Sequence, residues 1–173
     1  MNWFKFLLLF VLIGFLSCRQ NPVYHITPHS PEQEGVTAGK YIPNFNLLDS
    51  TMQYQPVEKW MGKATIIDFW ASWCRPCREA ANPAYKKLYL QYHSKGLQII
   101  GISSDRHQYF WKKALKQDSL PWYQAIDSTH LLLKKFQVKS IPGMLLIDQN
   151  GRIIGRNLWG ADLAHKIDSL LQQ

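Results

Sequence analysis

The sequence predicts an α/β fold in which one mixed β-sheet carries helices on both sides. Three observations predict it. Two almost continuous apolar runs, residues 63–70 and 97–103, suit strands buried on both faces. A segment with helical spacing of apolar residues lies between them, which is the order of a strand–helix–strand unit. Near the C-terminus, two short apolar runs flank an Asp-Gln-Asn-Gly turn at 148–151, and an amphipathic helix closes the chain.

The elements follow in order. Residues 42–48 and 54–57 read as a short N-terminal hairpin turning at Asp49-Ser50. The first buried strand, 63–70, contains Asp68 as its one acid. From Pro76 the period changes: Ala81, Ala84, Tyr85, Leu88 and Tyr92 fall on one helical face, and Gly96 ends the helix. The second buried strand is 97–103. A helix over 105–117 is expected to turn Phe110 and Ala114 inward, with Trp111 a candidate to join them. Residues 122–126 read as a short strand, 129–136 as a short helix, and 143–147 and 152–157 as a hairpin. Leu163, Ala164, Ile167, Leu170 and Leu171 form one face of the closing helix. Trp60, Trp111, Trp122 and Trp159 are expected in the core. No internal repeat is present.

The chain has 173 residues, 46% hydrophobic and 13% aromatic, which suits one globular domain and excludes a disordered chain. Its net charge is +8. The basic residues are scattered in pairs such as Lys86-Lys87, Lys112-Lys113 and Lys134-Lys135. That dispersion fits solvated helix faces and argues against nucleic acid as a partner. Three cysteines, Cys18, Cys74 and Cys77, are too few for a disulfide-stapled scaffold.

Residues 1–17 read as a signal peptide. Lys5 precedes an apolar run over 6–16, which is shorter than the roughly 20 residues a spanning helix needs. The small Ser17, then Cys18, then polar Arg19-Gln20-Asn21, resemble the cleavage site of bacterial lipoproteins. That likeness implies that Cys18 becomes the lipidated first residue, anchoring the chain to a membrane. Residues 18–40, rich in Pro and Gly, read as a linker from that anchor, and 41–173 as the domain. His25 and His29 lie in the linker with no third ligand near enough in sequence to suggest a metal. His93, His107, His130 and His165 are scattered over different elements and read as surface or packing residues.

The chemistry concentrates at Trp73-Cys74-Arg75-Pro76-Cys77, where the first buried strand gives way to a helix. A helix N-terminus carries roughly half a positive charge, which stabilises a thiolate. Two intervening residues let the second sulfur reach back and resolve a mixed disulfide. Pro76 suits the first helical turn, where its missing N–H costs little. Arg75 is expected to favour the thiolate, making the pair more oxidising than a neutral residue would.

The segment Asp68-Phe69-Trp70-Ala71-Ser72-Trp73-Cys74-Arg75-Pro76-Cys77 resembles the active-site segment of thioredoxins. Pro43-Asn44-Phe45, Ile141-Pro142, Leu145-Leu146-Ile147-Asp148 and Gly151-Arg152-Ile153 resemble marks of the membrane-anchored TlpA/ResA branch of that superfamily. The resemblance implies a thioredoxin fold with an N-terminal β-hairpin and a helix-containing insertion near 105–129. It implies a thiol–disulfide oxidoreductase in the bacterial envelope, facing the periplasm. Such a protein exchanges with exported protein thiols and disulfides, including cytochrome c maturation substrates, and with a membrane electron donor or acceptor. It works as a monomer without a cofactor or metal.

In the family roles, Cys74 is the attacking thiolate and Cys77 the buried resolving thiol. Pro142 is a cis-proline against the sulfurs, and Ile141 presents backbone to the substrate. Trp73, Arg75 and Pro76 edge the substrate site, and Asp68 is a buried acid that relays a proton. Two departures stand out. The branch's Glu three residues after the second Cys is Ala80 here, with Glu79 one earlier, so the acid is either Asp68 or Glu79, with Asp68 favoured. Pro83 falls one place late, so Ala80-Ala81 reads as a one-residue insertion reshaping the first helical turns. The direction of exchange is not in the motif; the resemblance implies a reductase of envelope-protein disulfides, with oxidase or isomerase as the alternative. A peroxidase of the peroxiredoxin type and a copper-binding chaperone are the remaining alternatives.

Overall fold

The computed structural model describes residues 24, 26 and 28–172. The expected signal peptide at 1–17 and the Cys18 lipid site lie outside the described residues, as does His25. The seven strands are β1 (Asn46–Asp49), β2 (Tyr54–Pro56), β3 (Ala64–Trp70), β4 (Leu97–Ser103), β5 (Tyr123–Ile126), β6 (Gly143–Asp148) and β7 (Ile153–Arg156). The helices are α1 (Asn82–Tyr92), α2 (Gln108–Asp118), α3 (Leu131–Lys135) and α4 (Gly160–Leu171). All strands join one sheet in the order β2-β1-β5-β4-β3-β6-β7. β3, β4 and β5 run parallel, and every other pairing is antiparallel. This is the mixed sheet that the apolar runs predict, in the thioredoxin-type arrangement that the resemblance implies, with α2 and β5 in the inserted stretch.

β3 lies in the interior of the sheet between β4 and β6, and each of its residues is buried, which accounts for its lack of polar alternation. Ile67 and Phe69 face a core built with Phe45, Phe136 and Ile147. Ala64 and Ile66 face the other core, with Tyr85 and Tyr92 of α1 and Leu163 and Ile167 of α4. By the two-residue period of a strand, Asp68 points to the α1/α4 side. A third cluster closes the C-terminal end of β3: Trp70, Ala71, Cys74, Cys77, Trp111, Ala114 and Ile126. Strand ends and the turns after them are where an open α/β sheet presents its sites.

Several expectations are corrected. The first hairpin strand begins at Asn46, because Ile42 bonds instead to the β6–β7 turn, donating its N–H to the Gly151 carbonyl at 2.9 Å. The Asp49-Ser50 turn is held by the Asp49 carboxylate, which accepts the Thr51 and Gln53 N–H groups at 2.8 and 3.0 Å. The linker expectation changes in its described part. Ile26 is buried in the core, and His29 stacks on Tyr41 with ring centroids 3.6 Å apart. The Ile153 N–H donates to the Lys40 carbonyl at 2.8 Å.

In α2 the inward residues are Trp111 and Ala114; Phe110, one position out of phase, is 54% exposed. Trp159 is also partly exposed and stacks on Tyr85. The insertion at Ala80-Ala81 takes the form of a π-helical turn, Cys77–Ala81, running into α1. A π-turn absorbs one extra residue without breaking the helix. It also resets the helical phase: Asn82 and Tyr85 take the buried face, and Ala84 is exposed.

The Trp70 indole N–H donates to the Gln124 carboxamide oxygen at 3.1 Å, joining β3 to the inserted strand β5 just below the cysteines. Gly101 of β4 makes room for this, since a Cβ there would overlap the Gln124 carboxamide. Gly101→Ala is expected to displace Gln124, break that bond and cost about 1–3 kcal/mol. The check is the shift of the urea midpoint at constant slope.

Candidate functional site

The chain leaves β3 at Trp70 and turns through 71–74, where the Cys74 N–H donates to the Ala71 carbonyl at 3.1 Å. Helical structure starts at Arg75. Cys74 thus stands where an N-cap residue stands. Its carbonyl accepts the Arg78 N–H at 3.2 Å, and its sulfur accepts the Cys77 N–H at 3.2 Å. A capping side chain satisfies an otherwise orphaned helix donor in the same way. Here the acceptor is sulfur, and a thiolate in that place gains both the hydrogen bond and the helix dipole. The two sulfurs are bonded to each other at 2.00 Å, with Cα atoms 5.3 Å apart. Cys74 lies at the edge of the surface, 4% exposed, and Cys77 is fully buried.

The other expected residues gather round the pair. Ile141-Pro142 is a cis peptide. Ile141 packs against the cluster that contains both cysteines, which brings this loop to the sulfurs. Trp73, Arg75 and Pro76 are exposed beside them. Arg75 donates to Glu79 at 2.8 Å, and both side chains are largely in solvent. Glu79 is therefore not the buried acid. A groove of about 420 Å³ lies beside Trp73, lined by Ser104, Arg106, His107, Phe110 and His130. Among the described residues no cluster of His, Cys, Asp and Glu is placed to hold a metal ion.

Asp68 is the buried acid, on the face of β3 that α1 and α4 cover. It is 1% exposed, and neither carboxyl oxygen has a hydrogen-bond partner. Burial pushes its carboxyl up from the ordinary 3.8 to about 8. Tyr85, on the α1 face that covers β3, is pushed up as well, first by burial and then by the Asp68 charge. Asn82 is also buried on that face, with both amide atoms unpartnered. Sequence reasoning missed Asn82 and Tyr85 as members of this polar patch. The misplaced Pro83 was the signal, because it marks the phase change that turns Asn82 inward.

A dithiol or disulfide at a helix N-terminus, with a cis-proline beside it on a thioredoxin sheet, defines the class as thiol–disulfide oxidoreductase. Comparison with known proteins agrees. The Redoxin family profile matches residues 37–169. The thiol-disulfide oxidoreductase ResA of Bacillus thuringiensis subsp. konkukian is 30% identical over 142 residues, covering 82% of this chain and 81% of that protein. ResA of Geobacillus kaustophilus is 27% identical over 142 residues, covering 80% and 81%. Among solved structures, the thioredoxin domain of a thiol-disulfide oxidoreductase from Bacteroides vulgatus superposes with a TM-score of 0.71 at 27% identity, covering 79% of this chain and 99% of that one. A thiol-disulfide oxidoreductase from Bacteroides fragilis superposes with a TM-score of 0.69 at 31% identity, covering 76% and 99%. The chain belongs to the redoxin family, and it is a thiol–disulfide oxidoreductase.

The Asp68 environment makes a prediction about pH. The folded chain keeps a proton on Asp68 that the unfolded chain releases near 3.8, so stability is full below that pH and falls as pH rises through about 8. The whole loss is on the order of 6 kcal/mol, at about 1.4 kcal/mol for each pH unit of the window. Urea unfolding of the oxidised protein between pH 5 and 9 is expected to show this decline. In Asp68→Asn the slope across that window should vanish.

Proposed function

We propose that this chain is an exported, lipid-anchored reductase of disulfides in envelope proteins, with Cys74 as the attacking thiolate and Cys77 as the resolving thiol. The observation that carries the assignment of the two sulfurs is the capping geometry. Cys74 sits at the helix end with an N–H aimed at its sulfur, and Cys77 lies behind it, wholly buried. The Cys74 thiolate attacks a substrate disulfide, forming a mixed disulfide and releasing one substrate thiolate, which takes a proton from water. Cys77 then loses its proton, attacks the Cys74 sulfur and releases the second substrate thiol. The substrate gains two electrons and two protons, and the pair becomes the disulfide.

Asp68 is the relay for the Cys77 proton. Burial raises its carboxyl to about 8, so its carboxylate form, the one able to accept that proton, grows as pH rises toward that value. Pro142 lacks an N–H and leaves the face over the sulfurs open, while Ile141 offers its backbone to the substrate chain. Trp73, Arg75 and Pro76 form the rim. A peroxidase would need a single peroxidatic cysteine, and a copper chaperone a wider cysteine spacing. Neither matches a bonded C-x-x-C capping its own helix.

The reducing direction is supported by Arg75, whose pairing with Glu79 offsets the charge that would favour the thiolate. Electrons must then come from a membrane donor. Export and anchoring rest on the apolar run at 6–16 and on Ser17-Cys18. Anchoring is tested by Cys18→Ser, which should move the protein from the membrane fraction to the soluble envelope fraction.

Two measurements test the activity. Cys77→Ser should accumulate a mixed disulfide with substrate through Cys74 and lose turnover by at least about a thousandfold, as losing a covalent catalytic group does. Cys74→Ser should form none. The reduction potential of the pair should lie near or below about −250 mV, toward the thioredoxin end of the scale. A value near about −120 mV would make the protein an oxidant instead.

A further inference from the structure

The turn that delivers Cys74 is gripped by the inserted helix from both of its ends. Ser72 lies two residues before Cys74, and every polar group it has is engaged. Its N–H donates to Asp105 Oδ2 at 2.8 Å, and its hydroxyl donates to Asp105 Oδ1 at 2.6 Å. Its carbonyl accepts from Arg78 Nη1 at 3.3 Å. Asp105 precedes α2 and is 2% exposed. It is itself held by the Ser103 hydroxyl, which donates to Oδ2 at 2.6 Å.

Arg78 directly follows Cys77. It makes a two-pronged pair with Asp118, the last residue of α2, through Nε at 2.8 Å and Nη2 at 2.6 Å. Nη2 also donates to Gln117 at 3.0 Å. The hydrogen bond to Asp118 holds the Arg78 guanidinium above its ordinary pKa. Between these two anchors, Trp111 and Ala114 of α2 pack in the cluster that contains both cysteines.

We propose that the α2 insertion is a brace for the nucleophile, with Asp105 and Arg78 as positioning residues that hold the 71–74 turn so that the Cys74 sulfur meets the Cys77 N–H. A bidentate contact to both Ser72 donors fixes the orientation of a turn that one hydrogen bond would leave free to pivot. A pivot of that turn moves the sulfur off the axis of the Cys77 donor, and hydrogen bonds weaken steeply with misalignment. The brace therefore acts on the thiolate, through geometry.

Charge and geometry predict opposite signs, which makes the idea testable. Neutralising a buried anion near a thiol, with nothing else changed, eases thiolate formation and lowers the thiol pKa. Loosening the turn withdraws a hydrogen bond from the thiolate and raises it. The experiment follows iodoacetamide alkylation of the reduced protein against pH, with the alkylated cysteine mapped by peptide mass. It compares wild type, Ser72→Ala and Asp105→Asn, with thermal melting in parallel.

The brace predicts that both variants raise the Cys74 pKa, cutting its alkylation rate near pH 6 by at least about threefold, which is half a pH unit. Ser72→Ala removes one donor and no charge, so it reports even where Asp105→Asn folds poorly. A pKa that stays put or falls in Ser72→Ala while the melting temperature drops makes the network merely structural and overturns the proposal. The proposal rests on Cys74 being the attacking thiol. If wild type is alkylated first at Cys77, that underlying assignment fails, and the brace fails with it.

Discussion

The backbone N–H of Cys77 points at the sulfur of Cys74, and most of what this protein can do depends on that contact. A helix end must find acceptors for its first donors, and here one acceptor is a reactive sulfur. The disulfide shows the geometry in the oxidised state. On reduction the same N–H faces a thiolate, where a neutral contact becomes a charge-assisted one. The arrangement requires β3 to end at Trp70, a tight turn to follow, and the helix to start within that turn. Trp70 is bonded to Gln124 and packed against both cysteines, so the strand end itself is fixed to the inserted strand.

Below the sulfurs the chain accepts a cost. Asp68, Asn82 and Tyr85 all carry buried polar atoms with no hydrogen-bond partner, and such atoms each remove free energy of about 1–3 kcal/mol. The proposed relay of the Cys77 proton gives this cost a use. A carboxyl without partners in an apolar setting holds its proton to about pH 8, within reach of thiol chemistry. Had Asp68 accepted hydrogen bonds from its neighbours, its carboxyl would titrate lower and be a poor match for a thiol. The π-turn contributes by setting Asn82 and Tyr85 on the same covered face.

Much of this was legible beforehand. The central strands announced themselves by unbroken apolar runs, because a strand buried on both faces has no room for polar alternation. The C-x-x-C, the Ile141-Pro142 step and the inserted stretch could each be read locally, and Ala80-Ala81 was visible as an extra residue. What escaped was set by phase and by distance. One residue of π-helix rotated α1, so Ala84 went out and Asn82 came in. Phe110 and Trp111 are adjacent and both aromatic, and packing into the cluster that contains the cysteines decides which is inside. Ser72 and Asp105 are 33 residues apart, and nothing in either neighbourhood names the other. Gly39 and Lys40 looked like linker by composition, yet backbone bonds to Ile153 of β7 hold them.

The most direct test of the account is the pKa of Cys74 in the reduced wild-type protein, followed by thiolate absorbance at 240 nm from pH 4 to 10. The capping geometry predicts a first thiol titration well below the ordinary value of about 8.5, in the range of roughly 5–7.5 that helix-end thiols reach. A single titration at about 8.5 for both cysteines would contradict it, because the Cys77 N–H and the helix end would then contribute nothing to the thiolate.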